Sequence, residues 1–563
     1  MDKVIYGPEI YTMNGAHPRA EAIGISGGRV EIVGSREEVS ARVGEDTEVL
    51  TPDARTLFPG FVDAHVHFLD LGLYELRWLD LSDTSSKGEL LGRIEDEVAD
   101  TERGEWIIGM GWDESKWSGE GSFPDRYELD GVAPHNPVAL QRVDMHTFCV
   151  NSRTLAMVEP GEVEGAKKTD GEYNGILTEE ASFTVRKEIS YSEEDLLQGL
   201  RDSVRKAGEL GVTSIHQMPD QPGRFEEYFR TYQALDRNGE LNVRSCLYYS
   251  EDYLGSAIEL GLERGFGGDR VKVGGLKLFS DGAIGSRSAL VSDPYAGTDD
   301  ERGIAIYDYE ELRDLVKRAE THGVQVVVHA IGDKAIERVA RCFAELGPGK
   351  GRPDQLRHRI EHLVMATDDQ VKWIKDLGLV ASLQPNFTGN WGLPGGMYEE
   401  RLGREKLPSL NRFALFRESG VDLAFGSDGM PFDPLYGIHW AVNSPFESAR
   451  MEPEEAIKAY TLGGAFAAGD EDDLGSIEAG KYADFVLLDG NPLTEPEEIK
   501  HMEVKMTVFD GEVSSPGRRL DFSGQAAYFP QVPREEIPVS IAEIRSFPRT
   551  FRQVTITGHP PRQ

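Results

Sequence analysis

The alternation of apolar and polar positions divides the chain into three regimes. Residues 1 to about 58 read as short strands and turns: Lys3–Tyr6, Ala22–Ile25, Val30–Gly34 and Thr47–Leu50. Gly27-Gly28 between two of these runs predicts a tight hairpin. From about 190 to 468 the pattern becomes strand, helix, strand, helix. Ser192–Leu210 places Leu196, Leu197, Leu200, Val204 and Ala207 on one helical face, with Gly211 just past its end. Asp308 with Glu311, and Thr367 with Gln370, have capping-box spacing, and Gly323 and Gly378 stand where those helices close. Between the helices lie the apolar runs Gly211–His216, Val243–Tyr249, Val271–Phe279, Val324–His329, His358–Leu363, Leu379–Gln384 and Asp422–Ser427. With Gly60–His67 they make eight strands, and eight strands separated by helices predict an α/β fold, a (β/α)8 TIM barrel.

Roughly 120 residues separate the first and second of these strands, far more than a βα connection needs. The domain division expected is therefore a barrel from 59–69 and 190–468, with an insertion subdomain, 70–189, over its mouth. A small β-sandwich domain takes 1–58 from one end and 469–513 from the other, where Leu474–Leu488 and Val504–Val513 read as hairpins. The proline-rich extension 514–563 has neither an assigned fold nor a role.

Polar residues interrupt the barrel runs where such a fold places chemistry, at the C-terminal ends of strands. His65 and His67 share one face of strand one, because side chains alternate with period two. Strand two ends in His216, strand four in Lys277, strand five in His329, strand six in His362, and strand eight is followed by Asp428. Imidazoles and carboxylates suit Zn2+ and similar divalent ions. His65, His67 and Asp428 are assigned to one ion, and His329 and His362 to a second. Lys277 enters as a carboxylated lysine, a carbamate able to bridge two ions; the competing reading is a salt-bridging lysine beside a single ion. Two bridged ions acidify a shared water and polarise a carbonyl, and Asp428 is the expected catalytic proton shuttle to the leaving nitrogen. His358, at the start of its strand, and His322, at a helix end, are read as structural.

Substrate contacts are assigned to Trp112, His146, His216, Asp281 and Arg287. For Trp112 core packing is the equal alternative, and for His146 and His216 a satisfied structural role is. Asp281 and Arg287 belong to the glycine-containing segment Ser280–Arg287, expected to form one wall of the pocket.

Composition narrows the partners. The formal net charge of −38 is spread along the 563 residues, which disfavours nucleic acid because phosphates would be repelled. It fits either a heavily solvated acidic surface or adaptation to high salt, as in a halophile, where screening shortens self-repulsion. No run approaches the ~18 apolar residues that span a bilayer, and the beginning of the chain lacks a signal pattern. Three cysteines without ligand or paired spacing fit a reducing, cytoplasmic setting. The expected partner is a small-molecule amide, without nucleic acid or membrane; a homo-oligomer is left open.

Several segments together resemble the amidohydrolase superfamily, and within it the family 3 group of N-substituted formamide deformylase-like enzymes. They are Pro59–His67, Gly111-Trp112-Asp113, Asp144-Met145-His146 with Val150-Asn151-Ser152, and Gly175-Ile176-Leu177. Further along come Gly211–Ser214, Lys277–Gly282, His329–Asp333, Arg359–His362 and Gly426-Ser427-Asp428. The resemblance implies a bound divalent metal, usually zinc, carboxylation at Lys277, hydrolysis of an amide-like C–N bond, and the β domain split between the chain ends. There are two departures, Met145 where the pattern has glycine and Gln217 where it has aspartate; the bulk of Met145 implies a reshaped pocket. Two other functions stay open: a mononuclear deaminase of the same superfamily, disfavoured by Lys277 and by Ala-Ile-Gly-Asp after His329, and a non-catalytic barrel that only binds.

Overall fold

The structure is a computed structural model. It describes residues 1–515 except 118–121, 144–145, 162, 164, 179, 220–222 and 347–355. The extension from residue 516, and Asp144 and Met145 of the family pattern, lie outside the described residues.

Eight parallel strands form the central sheet: β1 (Phe61–Val66), β2 (Val212–Gln217), β3 (Arg244–Tyr249), β4 (Val271–Phe279), β5 (Gln325–Ala330), β6 (Arg359–His362), β7 (Val380–Leu383) and β8 (Asp422–Phe425). Each pairs with the next in chain order. The eight apolar runs read from the sequence are these eight strands. Most are buried along their whole length, as expected of a parallel sheet covered by helices on one side and closed on itself on the other. Among the described residues the ladder runs from β1 round to β8. The remaining seam, β8 against β1, is bridged just past β8, where the Asp428 N–H donates to the His65 carbonyl at 2.7 Å.

Local signals explain the helices that turn the chain back between strands. Ser192 caps Glu193–Glu209, Asp308 caps Tyr309–Thr321 and Thr367 caps Asp368–Leu377, each in a reciprocal capping box. Gly378 closes the last of them in the left-handed region. The helix Phe68–Arg77, which begins where β1 delivers its histidines, packs on Glu193–Glu209 with the two backbones almost touching. A Cβ on Gly72 would lie 1.8 Å from the Gly199 carbonyl oxygen, so only glycine permits the crossing.

Two further sheets flank the barrel. One joins both chain ends. Its strands run in the order Glu512–Ser515, Val504–Phe509, Phe485–Leu488, Thr56–Pro59, Lys3–Tyr11, Arg19–Ser26 and Arg29–Gly34, with Glu48–Leu50 on the other side of Lys3–Tyr11. Gly27 and Gly28 make the tight hairpin with positive φ, and Asp510-Gly511 makes another. The other sheet, six strands between residues 79 and 178, belongs to the long connection after β1. Its core holds Trp112, fully buried and stacked on Trp117.

Arg244, at the start of β3, ties barrel to terminal sheet. Its guanidinium donates to both carboxylate oxygens of Asp484, at 2.8 and 3.2 Å, and lies 3.4 Å over the Tyr482 ring. Arg244→Ala would leave the Asp484 carboxylate buried without its cation. We expect it to lower the unfolding free energy by about 3–5 kcal/mol, read from urea denaturation followed by circular dichroism.

Candidate metal centre

His65, His67, Lys277, His329, His362 and Asp428 all line one cavity of about 110 Å3 at the C-terminal end of the barrel. Period-two alternation on β1 and the ends of β4, β5 and β6 deliver the first five. Asp428 arrives differently. Its φ of 56° lies in the left-handed region, sparsely used by non-glycine residues, and His362 shares that feature at φ 72°.

Hydrogen bonds behind the rings decide which nitrogen each histidine turns to the cavity. Glu361, an acceptor, takes the His65 Nδ1 proton at 2.5 Å, and the Gln384 amide oxygen takes the His362 Nδ1 proton at 2.8 Å. Both therefore present Nε2 as a lone pair. The Gly282 carbonyl accepts from His329 Nε2 at 3.1 Å, so that ring presents Nδ1. Burial drives the pKa of all three well below the ordinary imidazole value, which keeps them neutral, the form that ligates metal. The His65 and His362 ring centroids lie 4.8 Å apart, and those of His329 and His362 lie 4.5 Å apart. Asp428 Oδ1 sits 3.2 Å from His67 Nε2 and 3.6 Å from His65 Nε2.

A divalent ion fits this donor set. Ligand atoms of His65, His362 and Asp428 all fall within 4.8 Å of one another. This cluster crosses the division read from the sequence, which gave His362 to the second ion. Lys277 is 1% exposed, and its Nζ has no hydrogen-bond partner among the described residues; it lies 4.8 Å from the centroid of the Phe279 ring. Burial lowers its pKa to about 8. A buried amine with no anionic hydrogen-bond partner is a poor salt-bridge residue and a good nucleophile toward CO2.

Asp63 sets the position of Asp428. Its buried carboxylate accepts from the Ser427 N–H at 3.0 Å and the His65 N–H at 3.1 Å, and burial raises its pKa to about 7. Gly426 passes so close to β1 that a Cβ there would lie 2.4 Å from the His65 nitrogen.

Of the residues assigned to substrate, His146 lines the cavity and the other four do not. Trp112 is core. His216 is buried inside the barrel, where its Nδ1 accepts from Arg359 at 2.8 Å. Asp281 accepts from the Leu290, Ile331 and Gly332 N–H groups and approaches His329 Nε2 at 3.6 Å, so it pins loops behind the site. Arg287 faces Glu301 at 3.8 Å. The segment they belong to does form a wall, through Ala283, Ile284 and Gly285. Phe183 and Arg186 of the long connection and the aromatics Phe279, Phe387, Trp391 and Tyr398 also line the cavity. His358 accepts from the Val326 N–H and stacks on Phe343, a structural role as expected.

Sequence reasoning passed over Glu361, Arg359 and Gln384, which stand behind the histidines. The signal was two opposite charges, Arg359 and Glu361, two residues apart and so on one face of a fully buried strand.

A model of an amidohydrolase family, the third of that name, matches residues 53–514. The chain belongs to the amidohydrolase family. A putative amidohydrolase, YtcJ, of Bacillus subtilis is 29% identical over 543 residues, covering 91% of this chain and 99% of that protein. The N-substituted formamide deformylase of Arthrobacter pascens is 28% identical over 546 residues, covering 91% and 97%. Among solved structures, an uncharacterised metal-dependent hydrolase of Pyrococcus furiosus superposes with a TM-score of 0.70 at 30% identity, covering 87% of this chain and 99% of that one. Among the described residues of this amidohydrolase, no helix is long and apolar enough to cross a membrane.

Replacing Asp63 by alanine would leave the Ser427 and His65 N–H groups buried without an acceptor. The expected cost is about 1–3 kcal/mol for each in unfolding free energy, measured by chemical denaturation.

Proposed function

We propose that this chain is a metal-dependent hydrolase of an amide-type C–N bond, with N-substituted formamides as the first substrate class to test. The observation that carries the reading is the meeting of six ligand-type side chains in one cavity, among them a buried Lys277 whose Nζ lacks a hydrogen-bond partner among the described residues. Support for the formamide comes from the Arthrobacter relative, which is named for that reaction.

His65, His67 and Asp428 would hold one divalent ion, His329 and His362 a second, and Lys277, carboxylated by CO2, both. When bound, such ions lower the pKa of water and polarise a carbonyl. The chain supplies the rest. The neutral imidazoles keep their lone pairs on the cavity side because Glu361, Gln384 and Gly282 hold their protons behind. Asp428 accepts the proton of the attacking water and returns it to the leaving nitrogen, turning an amide anion into an amine. His146, which lines the cavity, would donate to the substrate carbonyl oxygen. The aromatic wall of Phe279, Phe387, Trp391 and Tyr398 receives the substituent on nitrogen and keeps bulk water from the bond under attack. The convergence of His65, His362 and Asp428 gives a one-ion arrangement support of its own.

The test measures metal per chain by plasma mass spectrometry together with hydrolysis of N-formyl, N-acyl and cyclic amides. Two equivalents of metal and release of formate are expected. One equivalent with ammonia released from an aminopurine would replace this reading by a deaminase. Lys277→Ala should lose metal and turnover, with part of both restored by short carboxylic acids that stand in for the carbamate; unchanged turnover excludes the bridge.

A further inference from the structure

The three buried histidines of the cavity are backed by acceptors of different strength. His65 has a carboxylate, Glu361, at 2.5 Å; His362 has a neutral amide, Gln384, at 2.8 Å; His329 has a backbone carbonyl, Gly282, at 3.1 Å. Glu361 is in turn gripped by Arg359, two residues earlier on β6. Nε of Arg359 donates to one carboxylate oxygen at 2.8 Å and Nη2 to the other at 2.9 Å, a planar fork that leaves the carboxylate no freedom to rotate. Neither side chain is exposed. The remaining Arg359 donors reach the Ala64 carbonyl on β1, at 2.6 Å, the Ser382 hydroxyl on β7, at 3.0 Å, and His216 on β2, at 2.8 Å. The guanidinium is thereby fixed from four strands.

We propose that Arg359 and Glu361 act as a positioning pair that makes His65 the strongest metal donor among these histidines. Arg359 fixes the carboxylate and balances its charge inside the barrel. Glu361 holds the proton on His65 Nδ1 and polarises the ring, so electron density gathers at Nε2, on the side of Asp428 and His362. A carboxylate behind a ligating histidine raises the basicity of that ligand, whereas an amide behind one mainly orients it. Gln384 therefore gives His362 direction without the same gain, and the Gln384 Nε2 is buried without a hydrogen-bond partner among the described residues. The proposal rests on the metal-dependent reading of the cavity. If the pair only filled the barrel, its loss would change stability and leave the affinity of the folded protein for metal untouched.

Zinc affinity, measured by competition with a chromophoric chelator on the folded fraction, separates the two. Glu361→Gln preserves volume and an acceptor for His65 but removes the charge. It should weaken zinc binding by about 10- to 100-fold. Gln384→Glu gives His362 an anionic partner and should strengthen binding. Wild-type affinity in both variants overturns the proposal. Should Glu361→Gln not fold, because Arg359 is left without its counter-charge, Gln384→Glu decides alone: unchanged or weaker binding overturns the proposal, tighter binding supports it. A full-length wild-type protein that binds no zinc or other divalent ion would instead overturn the underlying reading of the cavity. That result is distinguishable from one in which wild type and variants bind alike.

Discussion

A ring of eight parallel strands has one seam where its first and last members meet, and the site depends on how that seam is held. Here the Asp63 carboxylate on β1 takes the Ser427 N–H from the chain leaving β8, and the next N–H, of Asp428, goes to the His65 carbonyl. Two backbone donors of one segment are thus spent on the strand that carries the histidines. The same contacts draw Gly426 against His65 and turn Asp428 into its left-handed conformation, beside His65 and His67. Closing the barrel and assembling the polar cluster are one event.

Much of this was legible in the sequence because it follows local rules. The eight strands could be read from apolar runs, two helix starts from the residues that cap them, and two hairpins from Gly-Gly and Asp-Gly. The six residues of the cavity could be picked out because a βα barrel places side chains at strand ends, a constraint that acts on each strand separately. The substrate candidates that do not line the cavity are those whose environment depends on distant chain. Trp112 and His216 look alike as polar-tipped rings near a rim, and only packing of the 79–178 sheet and the position of Arg359 bury them. Asp281 sits in the right segment, but its three backbone donors come from residues 290, 331 and 332, and they turn it away from the cavity. Glu361 and Arg359 were visible as opposite charges two residues apart in a barrel strand. Which histidine they serve depends on β1 lying across the barrel interior from β6.

The chemistry of the cavity is divided by depth. Nitrogen and oxygen donors occupy its floor at the ends of the strands, while the long connection after β1, the segment 283–285 and the aromatics of 387–398 build its sides. Residues at strand ends are fixed by the barrel ladder; those on connections are free to vary with substrate.

The terminal sheet sets a schedule for the chain as it is made. Thr56–Pro59 pairs with Phe485–Leu488, roughly 430 residues later. At a synthesis rate of about 5–20 residues per second, the earlier strand waits roughly 20 to 90 s for its neighbour. Throughout that interval the strands of the first 59 residues present an unfilled edge, ready to pair with another nascent chain. The strong negative charge of the emerging polypeptide opposes such encounters, most effectively where salt is low. Acidity in this molecule thus bears on its birth on the ribosome as well as on the solvation of its finished surface.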